Sequence, residues 1–210
     1  MHREEISDRA HAMVEIGLGG LSLPYKQLCL PTEIECANSD YTLLGSLRYA
    51  LRWSPKFAAG AGVSLGFRPL VDEANIGGQA GVIERTHSRN YLLLSGHWRY
   101  YLVRQEGFEG WVGATGGLIV VSDRYELKDK GTAIINPRST ILATQGPMVG
   151  AGAGVEWSLN SSWAVGGWTS QMLWFLPKKP SCGATYDCAT VSGASYSLEL
   201  GVSLLYRTRL

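Results

Sequence analysis

The sequence predicts an all-β protein, a closed up-and-down antiparallel transmembrane β-barrel of about eight strands, on three observations. First, residues 193–210 alternate: Ala194, Tyr196, Leu198, Leu200, Val202, Leu204, Tyr206, Thr208 and Leu210 share one side of an extended chain, and Ser195, Ser197, Glu199, Gly201, Ser203 and Arg207 share the other, broken only by Leu205. Successive strand side chains point to opposite faces, so this segment carries one apolar wall and one polar wall over a length that suits a bilayer. Second, tight turns and long polar excursions take turns along the chain, which in an up-and-down closed sheet puts short turns at one rim and long loops at the other. Third, all six lysines, Lys26, Lys56, Lys128, Lys130, Lys178 and Lys179, fall in turns or loops. A soluble sheet carries lysine on its solvated face, whereas a lipid-facing strand does not.

The elements follow in order. Residues 1–11 form a polar segment, and 12–210 a single barrel domain. The first strand is expected over 12–21. The second, Tyr41–Ser54, puts Tyr41, Leu43, Leu47, Tyr49, Leu51 and Trp53 on one face and Thr42, Ser46, Arg48, Ala50 and Arg52 on the other. The third, Phe57–Phe67, sets Phe57, Val63, Leu65 and Phe67 against Ala58, Gly60, Ser64 and Gly66. Further strands are expected over 91–103, 111–121, 146–158 and 163–176, and the last over 193–210. Both faces look apolar in the segments that begin at Trp111 and Trp163. Residues 54–56, 105–109 and 160–162 read as tight turns, and 22–40, 68–90, 122–144 and 177–192 as long loops.

Aromatic residues cluster at both rims, as amphipathic rings do at bilayer interfaces. Trp53, Phe57, Phe108, Trp111, Trp157, Trp163 and Tyr206 lie towards the short-turn end, and Tyr41, Phe67, Tyr91, Trp174, Phe175 and Tyr196 towards the long-loop end. Residues 157–177 hold no charge but include Asn160, Ser161, Ser162, Thr169, Ser170 and Gln171, too polar for a membrane-spanning helix. The opening MHREEISDRA has no apolar core, so an export leader is expected to have been removed or to lie upstream.

These features resemble the small outer-membrane β-barrels of Gram-negative bacteria, of the OmpA and OmpX type, over nearly the whole chain from Ala12 to Leu210. The resemblance rests on pattern rather than on a motif. It implies a bacterial outer-membrane location, contact with outer-membrane lipid, and a last strand that signals to the barrel-assembly machinery through Val202, Leu204, Tyr206 and Leu210. Leu210 stands where that family commonly ends in phenylalanine.

If Tyr41, Phe57 and Tyr196 face lipid, alternation turns Glu15, Arg48, Arg52, Arg99, Glu156 and Glu199 inward together with His97. A narrow barrel has little room for bulk water, so these residues are expected to pair as a buried ion network that leaves no open channel. Cys29 and Cys36 lie in the first long loop and Cys182 and Cys188 in the last. Their spacings match no common zinc pattern, and exported loops meet an oxidising compartment. Disulfides Cys29–Cys36 and Cys182–Cys188 are favoured, with pairing across the two loops left open.

Net charge is +1, which gives no electrostatic footing for a nucleic-acid binder. No Gly-x-Ser-x-Gly, Walker or HExxH pattern occurs, and no catalytic residue, metal or cofactor is expected. His97 with Ser95 is the one compact His/Ser pair on a strand face, and it would serve a lipid-modifying barrel enzyme. His87 and Ser88 fall in a loop. A soluble lipocalin-like carrier would invert the two faces. The favoured function is a monomeric outer-membrane barrel with a structural or adhesive role, contacting an unidentified extracellular ligand through its long, mixed-charge loops.

Overall fold

Nine strands form in the computed structural model, which describes residues 10–24, 41–68, 72–75, 84–127, 139–183 and 188–209. They are β1 (His11–Ser22), β2 (Tyr41–Ser54), β3 (Phe57–Phe67), β4 (Asp72–Asn75), β5 (Glu84–Gln105), β6 (Phe108–Leu127), β7 (Ser139–Ser158), β8 (Trp163–Phe175) and β9 (Ala194–Arg209). All pairings are antiparallel, in the order β3-β2-β1-β9-β8-β7-β6-β5-β4, and a β3–β5 ladder closes the ring. Eight long strands therefore make a barrel, and β4 adds a short partner to the outer end of β5.

The tight turns have local causes. Ser54 Oγ accepts the backbone N–H of Phe57 at 3.1 Å. Asn160 Oδ1 accepts those of Ser162 and Trp163 at 2.8 and 2.9 Å, an Asx turn in which the side chain stands in for backbone. Between β5 and β6, Gly107 takes φ of 77°, a left-handed conformation that other residues adopt at a cost.

The outer wall is apolar around the whole ring. Ile16, Leu18, Leu47, Leu65, Leu94, Leu118, Val149, Leu173, Leu200 and Val202 are all exposed, which settles the orientation against a lipocalin-like carrier with its apolar face inside. The buried charged residues, among them Glu15, Arg52, Arg99, Glu156 and Glu199, turn inward, and the two strands of ambiguous facing resolve, with Thr169 and Gln171 of β8 on the outer face. β6 turns Glu109, Ile119, Val121, Asp123 and Tyr125 inward, and β8 turns Ala164, Trp168, Ser170, Met172 and Trp174 inward.

Three of the expected rim aromatics are corrected. Tyr91 and Trp174 are fully buried inside the barrel, and Trp111 packs against the interior clusters beneath the Arg99 guanidinium. Tyr91 shares parity with Arg99 on β5, so one alternation turns both inward. The short-turn girdle retains the pairs Phe108–Trp157 and Trp163–Tyr206.

Strand lengths also differ from expectation at the long-loop end. β5, β6 and β7 run past the apolar belt, whose outward row passes to Asn90, Ser122 and Gln145, and beyond it lies the exposed pair Arg124–Glu126. His87, assigned to a loop on sequence, lies in β5, buried and facing inward.

Candidate functional site

The interior is built in layers. At the short-turn end, four arginines and three glutamates alternate as Arg48, Glu15, Arg99, Glu156, Arg207, Glu109 and Arg52. Arg48 Nη1 donates to Glu15 Oε1 at 3.1 Å, and Arg99 Nη2 donates to the other Glu15 oxygen. Arg99 Nη1 reaches Glu156 Oε1 at 3.3 Å, which also accepts from Tyr101 Oη at 3.3 Å. Arg207 Nη2 bridges Glu156 Oε2 at 2.8 Å and Glu109 Oε2 at 3.1 Å. Arg52 closes the series with a two-pronged contact to Glu109, at 2.9 and 2.8 Å.

Three of these cations also lie over aromatic faces: Arg48 over Trp168, Arg52 over Tyr101 and Arg99 over Trp111, at 4.3, 3.7 and 4.3 Å from the ring centroids. Weakly hydrated, planar guanidinium suits both kinds of contact. Trp168 in turn needs room, and a Cβ on Gly201 would lie 2.8 Å from its ring.

Five of the six residues expected in the network come together. Glu199 makes no hydrogen bond or ion pair with them, although it lines the same cavity as Arg48 and feels its charge through space. It is buried, accepts from Ser170 Oγ at 3.0 Å, and its Oε1 has no hydrogen-bond partner. The reason is register: Glu199 lies opposite Leu21 of β1, whereas Arg48 lies opposite Glu15, six residues along that strand. Arg48 is held by Glu15 and Trp168.

Two members were missed on sequence. On sequence Glu109 reads as part of the 105–109 turn, and Arg207 reads as a polar-face residue of the last strand with no named partner. The signal for Arg207 was present, since it shares parity with Glu199.

Above the ions lies a cavity of about 40 Å³ lined by residues that include Arg48, Ser95, His97, Trp168, Ser170 and Glu199. Both ring nitrogens of His97 and the Trp168 indole N–H have no partner. Ser95 Oγ bonds the Gly62 carbonyl at 3.5 Å, and no bond links it to His97 among the described residues. Next comes an apolar layer that includes Leu21, Leu44, Tyr91, Leu93, Ile119 and Met148.

The last long loop caps this layer. Asp123, expected on a solvated loop, is fully buried and holds Thr190 through its backbone N–H at 2.9 Å and its hydroxyl at 2.8 Å. His87 Nε2 lies 2.7 Å and Arg89 Nε 3.0 Å from the same carboxylate. Burial alone would raise the Asp123 carboxyl, but the His87 hydrogen bond and the Arg89 charge outweigh it and hold it below the ordinary carboxylate value. Tyr125 stacks on His87 and donates to the Cys188 carbonyl at 2.7 Å. The Cys182–Cys188 disulfide is formed, whereas Cys29 and Cys36 lie outside the described residues.

The outward row of β9 keeps Val202, Leu204 and Tyr206 exposed, and Leu210 lies outside the described residues. No family model matches the sequence, and no curated protein is significantly similar to it. Solved structures are similar in fold. A major outer membrane protein from Thermus thermophilus aligns with TM-score 0.66 at 12% identity, over 95% of this chain and 99% of that one. Neisserial surface protein A aligns with TM-score 0.60 at 9% identity, over 96% and 100%. Ail, the attachment invasion locus protein of Yersinia pestis, in complex with the heparin analogue sucrose octasulfate, aligns with TM-score 0.56 at 8% identity, over 95% and 99%.

The chain has the fold of the small outer-membrane β-barrels. Antiparallel ladders close around the whole ring, and the wall is apolar on the outside, so this barrel is built to sit in lipid. Fold and belt together place it in a bacterial outer membrane.

Proposed function

We propose that the protein is a non-conducting, non-enzymatic outer-membrane barrel that works through its external surface, in a structural or adhesive role. The observation that carries this reading is the filled interior. Ion chain, aromatic faces, apolar layer and anchored loop follow one another from rim to rim, and a wide aqueous path is absent among the described residues. With the bore occupied and the wall given to lipid, the long-loop end is the part left to meet other molecules. The Yersinia pestis neighbour is an attachment invasion locus protein seen with a heparin analogue, and the role proposed here is of that broad kind.

A lipid-modifying activity at Ser95 and His97 has little support, because both turn into the bore and no hydrogen bond joins them. In the same reading the protein is a monomer, and the outward row Val202, Leu204, Tyr206 and Leu210 is the surface offered to the barrel-assembly machinery.

Two measurements test the proposal. Planar bilayers with the refolded protein are expected to show no stable ohmic channel, and a nanosiemens-scale pore overturns the filled-bore reading. Gram-negative cells displaying the barrel are expected to attach to epithelial monolayers more than cells displaying a loop-shortened form that still shows heat-modifiable migration. Equal attachment overturns the surface role.

A further inference from the structure

We propose that the outer wall of β8 holds one phosphorylated glycolipid of the outer leaflet at a fixed place, with its phosphate on Lys178 and Lys179 and a hydroxyl or ester of one acyl chain on Gln171. The site lies on the membrane wall and is independent of the adhesive role proposed above.

Hydrocarbon offers an amide no hydrogen bond. β8 nevertheless carries two polar side chains on its outer face, Thr169 and Gln171. The Thr169 hydroxyl donates to the Glu199 carbonyl at 3.0 Å, so its polar group is satisfied within the wall. Gln171 is exposed and makes no hydrogen bond among the described residues. It precedes Phe175 of the outer rim by four residues. At about 3.4 Å per residue and a tilt of roughly 40°, Gln171 lies roughly 10 Å inside that rim. An amide left without a partner at this depth is costly.

The wall around it has room for an acyl chain on one side. The ladders set Ala151 of β7 beside Gln171, with Ala114 of β6 next in the row, and one row further in Ala153 lies beside Thr169. On the other side stands β9, with Leu198 beside the amide and Leu200 beside Thr169, the latter 67% exposed. The wall is therefore low towards β7 and high towards β9. A chain lying along the alanines meets the amide from the side.

The rim above supplies charge. The chain leaves β8 through Pro177, Lys178, Lys179 and Pro180, all four exposed. Neither lysine makes an ion pair or hydrogen bond among the described residues. They follow Phe175 by three and four residues, at the level where lipid headgroups begin. Free cations above a free amide, on one strand, match a lipid that is anionic at its head and polar again within its acyl region. An ordinary anionic phospholipid meets only the first condition, because its esters stay at the interface. Acyl chains that carry a hydroxyl or a second ester meet both. A second copy of this chain fits worse, since an axis along the membrane normal beside Gln171 would set the lysine pairs of the two copies against each other.

The test uses the full chain in phosphatidylcholine nanodiscs doped with diphosphorylated lipid A, with phosphatidylglycerol, or with neither. Native mass spectrometry is expected to find one lipid A retained per barrel and no comparable retention of phosphatidylglycerol. The Gln171 side-chain amide is expected to shift in NMR spectra with lipid A only. Gln171→Leu should lower retention at least five-fold, and Lys178→Gln combined with Lys179→Gln should abolish the preference for diphosphorylated over dephosphorylated lipid A. Heat-modifiable migration checks that the variants fold. Equal retention of the two lipids, retention unchanged in folded Gln171→Leu, or a dimer mass that Gln171→Leu converts to monomer overturns the proposal. Should a variant fail to fold, the wild type decides: a Gln171 amide that does not move with lipid A, or moves equally with phosphatidylglycerol, overturns it as well.

Discussion

Replacing Glu109 with alanine breaks the two-pronged Arg52–Glu109 ion pair in the bore. Glu109 is 4% exposed and takes both prongs of Arg52, which is fully buried, together with single bonds from Arg207 at 3.1 Å and Arg104 at 3.4 Å. After the change Arg207 keeps Glu156 and Ser158. Arg52 keeps the Tyr101 face and the Ser54 and Pro55 carbonyls but loses its carboxylate. Breaking a buried pair from one side costs about 3–5 kcal/mol, which is roughly 100- to 4,000-fold in the folding equilibrium at 1.4 kcal/mol per decade. The double change Arg52→Met with Glu109→Met removes both charges and is expected to cost far less, about 1 kcal/mol or nothing. Urea titration in lipid vesicles, followed by tryptophan fluorescence and heat-modifiable migration, measures all three proteins. A single-variant loss below about 1 kcal/mol, or a double variant no better than the single, refutes the claim that Arg52 depends on Glu109.

Three further outcomes are expected. The Asp123 carboxyl sits below its ordinary value, so its hold on Thr190 is complete above the unfolded carboxylate value and is lost as pH falls through the depressed folded one; amide exchange at Thr190 should show that acid loss in wild type, and Asp123→Asn should abolish it. Gly201→Val meets the Trp168 ring and should cost about 1–3 kcal/mol by overpacking, read as a lower urea midpoint with an unchanged slope. Cys188→Ser opens a short loop that closure entropy values at about 2 kcal/mol, and it should speed proteolysis within residues 177–192 while leaving barrel migration in gels intact.

Alternation made the barrel legible, because a period of two fixes the face of every side chain on a regular strand. Alternation therefore turns Glu15, Arg48, Arg52, Arg99 and Glu156 inward, and the parity that Tyr91 shares with Arg99 turns it inward as well, away from the rim where aromatics usually lie. Facing alone does not give height. Which inward charges meet depends on the stagger between neighbouring strands, and that stagger is set by pairing over the whole ring. Glu199 stays outside the hydrogen-bonded chain for this reason, acting on Arg48 only through space. Strand ends were the other blind spot: polar residues past the belt read as loop, yet in β5 and β6 they continue the ladder and aim His87, Arg89 and Asp123 at the loop they anchor.

Arg207 shows how the last strand is tied to the rest of the bore. Glu109 and Glu156 lie directly opposite each other across the β6–β7 ladder, a like-charge pair that is destabilising by itself. Arg207 of β9 supplies the cation that bridges them, reaching over from a strand whose ladder partners are β1 and β8. The acid pair therefore has its bridging charge only when β9 is in place. Arg207→Met should then destabilise the barrel by about 1.5–3 kcal/mol, since Glu109 keeps Arg52 and Glu156 keeps Arg99, and adding Glu156→Gln should recover part of that loss by removing the repulsion. A cycle of the two variants in vesicles measures the coupling, and additive effects would mean that Arg207 does not act by bridging the two glutamates.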